Sequence, residues 1–159
     1  MPNINQPDFD DPRELEGFRA RRARLGRQTG ASLVGASLWE VPPGEAAYPF
    51  HWHVAQEEMV IVLEGDMRLR TPEGWREVPE GEVLFFPTGE GGAHQLHNAG
   101  EQTVRFLAVA NQQPDIVLYP DSGKLGASES GRGAGGVHMA FKTDDAVSYW
   151  EGETPPEVE

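Results

Sequence analysis

The sequence contains no cysteine among its 159 residues, which excludes disulfide bridges, thiolate metal sites and cysteine nucleophiles. That composition is the one expected of a cytoplasmic protein. Positive charge is scarce as well: 13 lysines and arginines stand against 26 aspartates and glutamates, for a formal net charge of −13. A nucleic-acid binder needs a basic surface to release counterions, and a protein that docks on anionic lipid needs basic residues too, so neither partner is expected. Long hydrophobic runs are also missing. The longest, Met59 to Leu63, is far too short to span a bilayer. The first residues, MPNINQPDFDDPRELEG, have neither a basic n-region nor an apolar h-region and do not read as a secretory signal.

What is abundant is punctuation. Nineteen glycines and thirteen prolines fall mostly between short apolar runs, the spacing of an all-β protein with many turns. Strands are expected near Arg21, over Ser32–Val41, Tyr48–His53, Glu57–Leu63, Met67–Arg70, Trp75–Val78, Val83–Phe86, His94–His97, Thr103–Ala110 and Asp115–Tyr119, with no convincing helix among them. Gly65-Asp66 reads as a tight hairpin turn into the strand that follows. The expected organisation is an N-terminal arm over residues 1–20, a barrel over 21–120, and a glycine-rich loop (121–137) with a C-terminal extension over 121–159. Within that extension, Val137 to Trp150 reads as a terminal strand plus a turn of helix.

Two surface features matter. Arg19, Arg21, Arg22, Arg24 and Arg27 form a basic cluster that, in so acidic a chain, reads as an ion-paired flank rather than a phosphate patch. Met59–Leu63 and Val83–Phe86 do not alternate, so both faces of those strands call for cover. A small barrel covers only the inner face. The outer face needs a second sheet layer, the chain's own terminal segments or a second copy of the chain, which would give a homodimer.

The chemistry concentrates in GEAAYPFHWHVAQEEMVIVLEG, residues 44–65. A strand places residues i and i+2 on one face, so His51 and His53 point the same way and Trp52 points to the other, as outer packing. Two imidazoles with a nearby carboxylate suit a first-row transition metal. A second segment, GEVLFFPTGEGGAHQLHN at 81–98, offers more donors. By strand parity only one of His94 and His97 can face the barrel interior, and only one of Glu57 and Glu58. His138, alone beside the glycine-rich stretch, reads as a surface residue.

These two segments resemble the paired motifs of the cupin superfamily. The first motif is a glycine, five residues, His-x-His, three or four residues, a glutamate, six residues and a glycine; His51, His53, Glu58 and Gly65 match, with Gly44 one residue further upstream. The second is matched by Gly81, Pro87, Gly89, His94 and Asn98, with two extra residues before the histidine. Residues 21–26, 119–121 and 145–150 also look like features of small single-domain conserved-barrel cupins. The resemblance implies an all-β double-stranded β-helix, the jelly-roll or cupin barrel, often dimeric and often holding a divalent metal. It selects His94 over His97 and Glu58 over Glu57, giving His51, His53, Glu58 and His94 as the expected metal ligands.

Three imidazoles and a carboxylate suit iron, manganese, nickel, copper or zinc, and an octahedral ion would keep about two open positions. Around them, Tyr48, Gln56, Gln95, Asn98 and Arg68 are candidate supporting residues, Asn98 more as the closure of a turn. Arg68 or Arg70 would meet a substrate carboxylate, or else pair with Glu73 or Glu77 in solvent. Two functions follow as expectations. One is a small metalloenzyme of dioxygenase, isomerase or lyase type acting on a small organic oxygen compound. The other is a non-catalytic metal- or ligand-binding module serving as sensor or store.

Overall fold

The computed structural model describes residues 1–129 and 137–156. Thirteen strands and one short helix make up its named elements besides 3-10 turns, all strand pairs being antiparallel. In chain order these are β1 (Asp11–Arg13), β2 (Ala20–Ala23), α1 (Leu25–Thr29), β3 (Val34–Val41), β4 (Trp52–His53), β5 (Glu58–Glu64), β6 (Met67–Thr71), β7 (Gly74–Val78), β8 (Val83–Phe86), β9 (Gln95–His97), β10 (Val104–Asn111), β11 (Asp115–Tyr119), β12 (Lys124–Ser128) and β13 (His138–Lys142). No helix among the described residues is long and apolar enough to cross a membrane.

One wall of the barrel is a six-stranded sheet in the order β1-β2-β3-β10-β5-β8. The other is built from β13-β12-β11-β4 and β7-β6-β9, joined where His51 bridges His94 and Ala46 bridges His97. Alternation along each strand sends one set of side chains inward. Trp39, Val41, Val60, Val62, Leu69, Leu84, Phe86, Leu96, Val104 and Phe106 are buried there and fill the core. This is the all-β jelly-roll architecture that the strand pattern and the motif resemblance imply.

Several local expectations need correction. Gly65-Asp66 is not a hairpin: β5 pairs with β10 and β8, whereas β6 pairs with β7 and β9 in the opposite wall. The chain turns a barrel corner there, with Gly65 at φ +77° and the Val104 side chain 3.0 Å from where a Cβ would sit. Of Tyr48–His53 only Trp52–His53 forms a ladder, with His51 reduced to an isolated bridge, because Pro49 has no N–H to donate. Residues expected as arm supply β1, which pairs with β2. A five-residue helix, α1, follows β2. The stretch expected as a loop over 121–137 contains β12, paired on both edges; its residues 130–136 lie outside the described residues. The terminal strand and helical turn over Val137–Trp150 appear as β13 and a 3-10 turn at Thr143–Asp145.

The basic cluster is ion-paired in four of its five members: Arg19 with Glu45, Arg21 with Glu40, Arg22 with Asp11 and Arg24 with Asp10. The two-faced apolar strands keep one face open. Inward Val60, Val62, Leu84 and Phe86 are buried, while outward Met59, Val83 and Phe85 remain exposed, the last two at 57 % and 60 %. Among the described residues, the terminal segments do not bury them.

Candidate metal centre

The centre is assembled by two short stretches that meet across the wall. The antiparallel bridge between His51 and His94 carries backbone hydrogen bonds in both directions, 3.2 and 2.9 Å, and so holds the two rings side by side. His53 follows two residues on, sharing the face of His51. Glu58 opens β5 and reaches in from the opposite wall.

Each imidazole is fixed by its Nδ1. His51 Nδ1 donates to the Pro49 carbonyl and His94 Nδ1 to the Gly92 carbonyl, both at 2.9 Å. His53 Nδ1 donates to Asp115 Oδ2 at 2.5 Å. A neutral ring has one N–H, so with Nδ1 donating each Nε2 offers a lone pair whenever its ring is neutral. These nitrogens converge: His51 Nε2 lies 3.1 Å from His53 Nε2, His53 Nε2 3.5 Å from Glu58 Oε2, and His94 Nε2 3.1 Å from the same oxygen. The ligand atoms of His51, His53 and Glu58 lie within 4.8 Å of one another, and His94 adjoins this trio through Glu58. Phe86 stacks on the His94 ring, with centroids 3.7 Å apart and planes 7° from parallel, which sets the plane of that fully buried imidazole.

The environment divides the charges. Burial and the neighbouring His94 push the His51 pKa down to about 3, so this ring stays neutral. Burial would lower His53 too, but the Asp115 carboxylate on its Nδ1 and the Glu58 carboxylate 3.5 Å from its Nε2 outweigh that and hold its pKa near 9. Burial would raise Glu58, yet the imidazoles of His53 and His94 keep its carboxyl well below the usual range. The carboxylate is therefore ionised at neutral pH.

A cation fits this donor set. Glu58 Oε2 and His94 Nε2 are both buried with no hydrogen-bond donor between them. Two acceptors facing each other out of water are costly, and a divalent ion satisfies both at once.

Parity sorts the competing residues. Glu57 is exposed and Glu58 faces the centre. His97 lies off it against Trp75, with ring centroids 6.1 Å apart. Asn98 closes a turn, donating to the carbonyls of Val41 and Gln102 at 2.8 Å. Gln95 donates to the Tyr48 carbonyl, and Gln56, at the cleft edge, to that of Gln113. Arg68 pairs with Glu77, and Arg70 forms a two-pronged bond to Asp121 rather than to Glu73 or Glu77. Neither arginine lines the cleft above the centre. His138 is exposed on β13.

Asp115 is the residue that sequence reasoning missed. It begins β11, is buried, and uses Oδ1 to accept from the Ala55 N–H at 2.8 Å while Oδ2 holds His53. One carboxylate thus fixes both an expected ligand and the loop leading to Glu58. The only local signal was an acid at the head of an apolar strand. The two extra residues before His94 are absorbed by a 3-10 turn at Glu90–Gly92, which leaves the His51–His94 bridge intact.

Above the centre lies a cleft of about 400 Å³ whose lining includes Tyr48, His51, His53, Glu58, Trp39 and Tyr119. The cupin domain family matches residues 37–110, which span both motifs. A polyketide cyclase from Streptomyces resistomycificus is 31 % identical, with 70 % of this chain and 78 % of that one covered, at a TM-score of 0.59. A provisionally named sugar phosphate isomerase from Acidithiobacillus ferrooxidans is 26 % identical over 83 % of this chain and 81 % of that one, at a TM-score of 0.72. A structure from Silicibacter pomeroyi named a sugar phosphate isomerase of the cupin superfamily is 24 % identical over 89 % and 94 % of the two chains, at 0.73, and speaks for the fold. No curated protein matches the chain significantly. Motif order, barrel topology and these likenesses agree: the chain belongs to the cupin superfamily, as a small single-domain cupin.

Proposed function

We propose that this cupin is a metal-dependent enzyme that acts on a small organic oxygen compound within its barrel, in a reaction of the dioxygenase, isomerase or lyase type. The facing pair Glu58 Oε2 and His94 Nε2 carries the reading, because two buried acceptors 3.1 Å apart call for a cation, and Glu58, His51 and His53 line an accessible cleft through which a ligand can reach it. His51, His53, Glu58 and His94 would hold it. When bound, a divalent ion supplies Lewis acidity towards a coordinated oxygen, and iron, manganese, nickel or copper would add chemistry with dioxygen. The chain's own residues do the rest. Asp115, Pro49 and Gly92 orient the rings, the apolar core beneath keeps water from the far side, and the cleft admits the reactant. Two relatives above 25 % identity bear enzyme names, a cyclase and an isomerase, which favours catalysis over storage.

The test is turnover after loading with each candidate metal in turn. Oxygen uptake on catechols, diketones and thiols, and interconversion of small sugar phosphates, should reveal activity with at least one metal. Saturable binding with no turnover under any metal would make the chain a binding module instead.

We also propose a homodimer formed through the outward face of β5 and β8. Met59 lies directly opposite Phe85 there and Ile61 opposite Val83, and β8 is the free edge of its sheet. A self-complementary apolar patch at a sheet edge suits a two-fold interface. Light scattering should give twice the chain mass for the parent and one chain mass for Phe85→Glu; a monomeric parent would sink the assignment.

A further inference from the structure

The cleft exists because one wall of the barrel runs out of large side chains. Directly opposed residues share a face, so the pairings of β2, β3, β10 and β5 sort the inward side chains of this wall into rows. One row is Arg22, Trp39, Phe106 and Val62, all of them buried. The next is Ser37, Ala108 and Val60, and the one after it Gly35, Ala110 and Glu58. In these two rows β3 and β10 carry almost no side-chain bulk. Gly35, Ser37, Ala108 and Ala110 all line the cleft, and Ala110 lies directly opposite Glu58. The space they leave, about 400 Å³, is in the range of small-molecule sites. It also exceeds the roughly 150 Å³ that holds a single benzene ring in a protein interior.

Tyr48 supplies an independent sign of a ligand. It lines the same cleft and is 9 % exposed, yet its hydroxyl is buried with no hydrogen-bond partner among the described residues. Its ring meets those of His51 and His94 edge-on, with centroids 4.9 and 5.5 Å apart, which places it beside two of the proposed metal ligands. A buried donor without an acceptor is costly, and an oxygen brought in by a ligand removes that cost. Arg13 and Arg22 also look into the cleft, but the protein holds both. Arg22 pairs with Asp11, Arg13 donates to the Ala47 carbonyl, and each guanidinium lies against the Trp39 ring.

We infer that this cleft takes a hydroxy or oxo compound whose body is larger than one ring, with Gly35, Ser37, Ala108 and Ala110 as the residues that admit it and the Tyr48 hydroxyl as the donor to its oxygen. The body would lie over the small side chains of β3 and β10, and the oxygen would point to the end of the cleft where Tyr48 and Glu58 lie. This narrows the reactant from any small oxygen compound to a ring-bearing one. It rests on the metal-dependent reading for the place of the oxygen, whereas the room for the body stands without the metal.

The experiment is calorimetric titration of the metal-loaded protein with phenol and 2-naphthol, which share one hydroxyl and differ by a ring. The parent should bind 2-naphthol at least about tenfold more tightly than phenol, because the second ring is buried in the cleft. Ser37→Leu should occupy that space and cut the preference to about threefold or less, with metal content close to the parent's. Ala110→Val makes the same test from the neighbouring strand with a smaller side chain, and a cooperative melt identifies which of the two is folded. Tyr48→Phe should weaken both probes about three- to tenfold while the melting temperature holds or rises, because a hydroxyl with no internal partner contributes nothing to the fold. Equal binding of the two probes by the parent, or an undiminished preference in a folded variant, would overturn the inference about the wall. A Tyr48→Phe variant that binds both probes as well as the parent would overturn the tyrosine contact. Metal content measured on the same samples keeps the two readings apart. If the parent holds no metal, the metal centre falls, while a 2-naphthol preference that Ser37→Leu removes would still support the wall. If the metal is held and the preference survives both substitutions, the wall alone falls.

Discussion

Neither His51→Ala nor Glu58→Ala should hold the roughly one divalent ion per chain expected of the parent; each should retain less than about a tenth of it after identical loading and desalting. Glu58 is the only anion among the four proposed ligands. Without it, three neutral imidazoles would face a full dication in a buried site, where uncompensated charge is most costly. His51 sits at the bridge that aligns the two halves of the centre, so its loss removes a donor and opens a gap beside His53. Asp115→Asn should give a graded result. Its remaining oxygen can keep the bond to the Ala55 N–H, but an amide –NH₂ in place of Oδ2 meets the His53 Nδ1–H donor to donor. Moving the ring proton to Nε2 relieves that clash and caps the ligand atom. Metal affinity should then fall about 10–100-fold with the fold intact, and the His53 ring nitrogens should show the swapped tautomer by NMR. Elemental analysis showing full metal in both alanine variants would remove the ligand assignment. An unchanged affinity in Asp115→Asn would remove the role given to the aspartate.

Gly92→Ala should be among the most damaging single-methyl changes in the molecule. A Cβ there would lie 1.9 Å from the Pro87 carbonyl oxygen and 2.9 Å from its carbon, both backbone atoms with no side-chain freedom to yield. The cost should reach the upper end of the 1–3 kcal/mol typical of overpacking, or a fall of about 6–12 °C in melting temperature for a domain of this size. Because the Gly92 carbonyl accepts from His94 Nδ1, the displaced turn should also loosen that ring and weaken metal binding. Gly91→Ala is the matched control, since nothing lies within 4 Å of its added carbon. Thermal melts in which the two variants behave alike would refute the clash.

The aspartate of the first expectation grips a residue far away along the chain, whereas Gly92 meets near neighbours, and this separates what is legible in the sequence from what is not. The alternation of strands and the paired fate of the basic cluster depend on spacing between near neighbours and on charge balance, while the choice of Glu58 over Glu57 and of His94 over His97 follows from the motif resemblance. A single sequence carries those directly. The exposed outward face of β5 and β8 belongs with them, since an apolar strand that does not alternate must have a second apolar face wherever it packs.

The barrel corner at Gly65, the strand inside the glycine-rich stretch, the inward arginines and the grip of Asp115 on His53 lie beyond that reach. A glycine-aspartate step reads alike in a hairpin and in a crossing between sheets, and only the choice of partner strand tells them apart. Arg22 looks like its exposed neighbours until β2 is registered against β3. Asp115 and His53 are 62 residues apart. Local periodicity determined the all-β class and which residues share a face, and the motif resemblance named the candidate ligands. Closure of the barrel alone decided which distant carboxylate orients a ligand and which charges look into the cleft, because long-range pairings are fixed by the packing of whole sheets and leave no mark in the residues on either side.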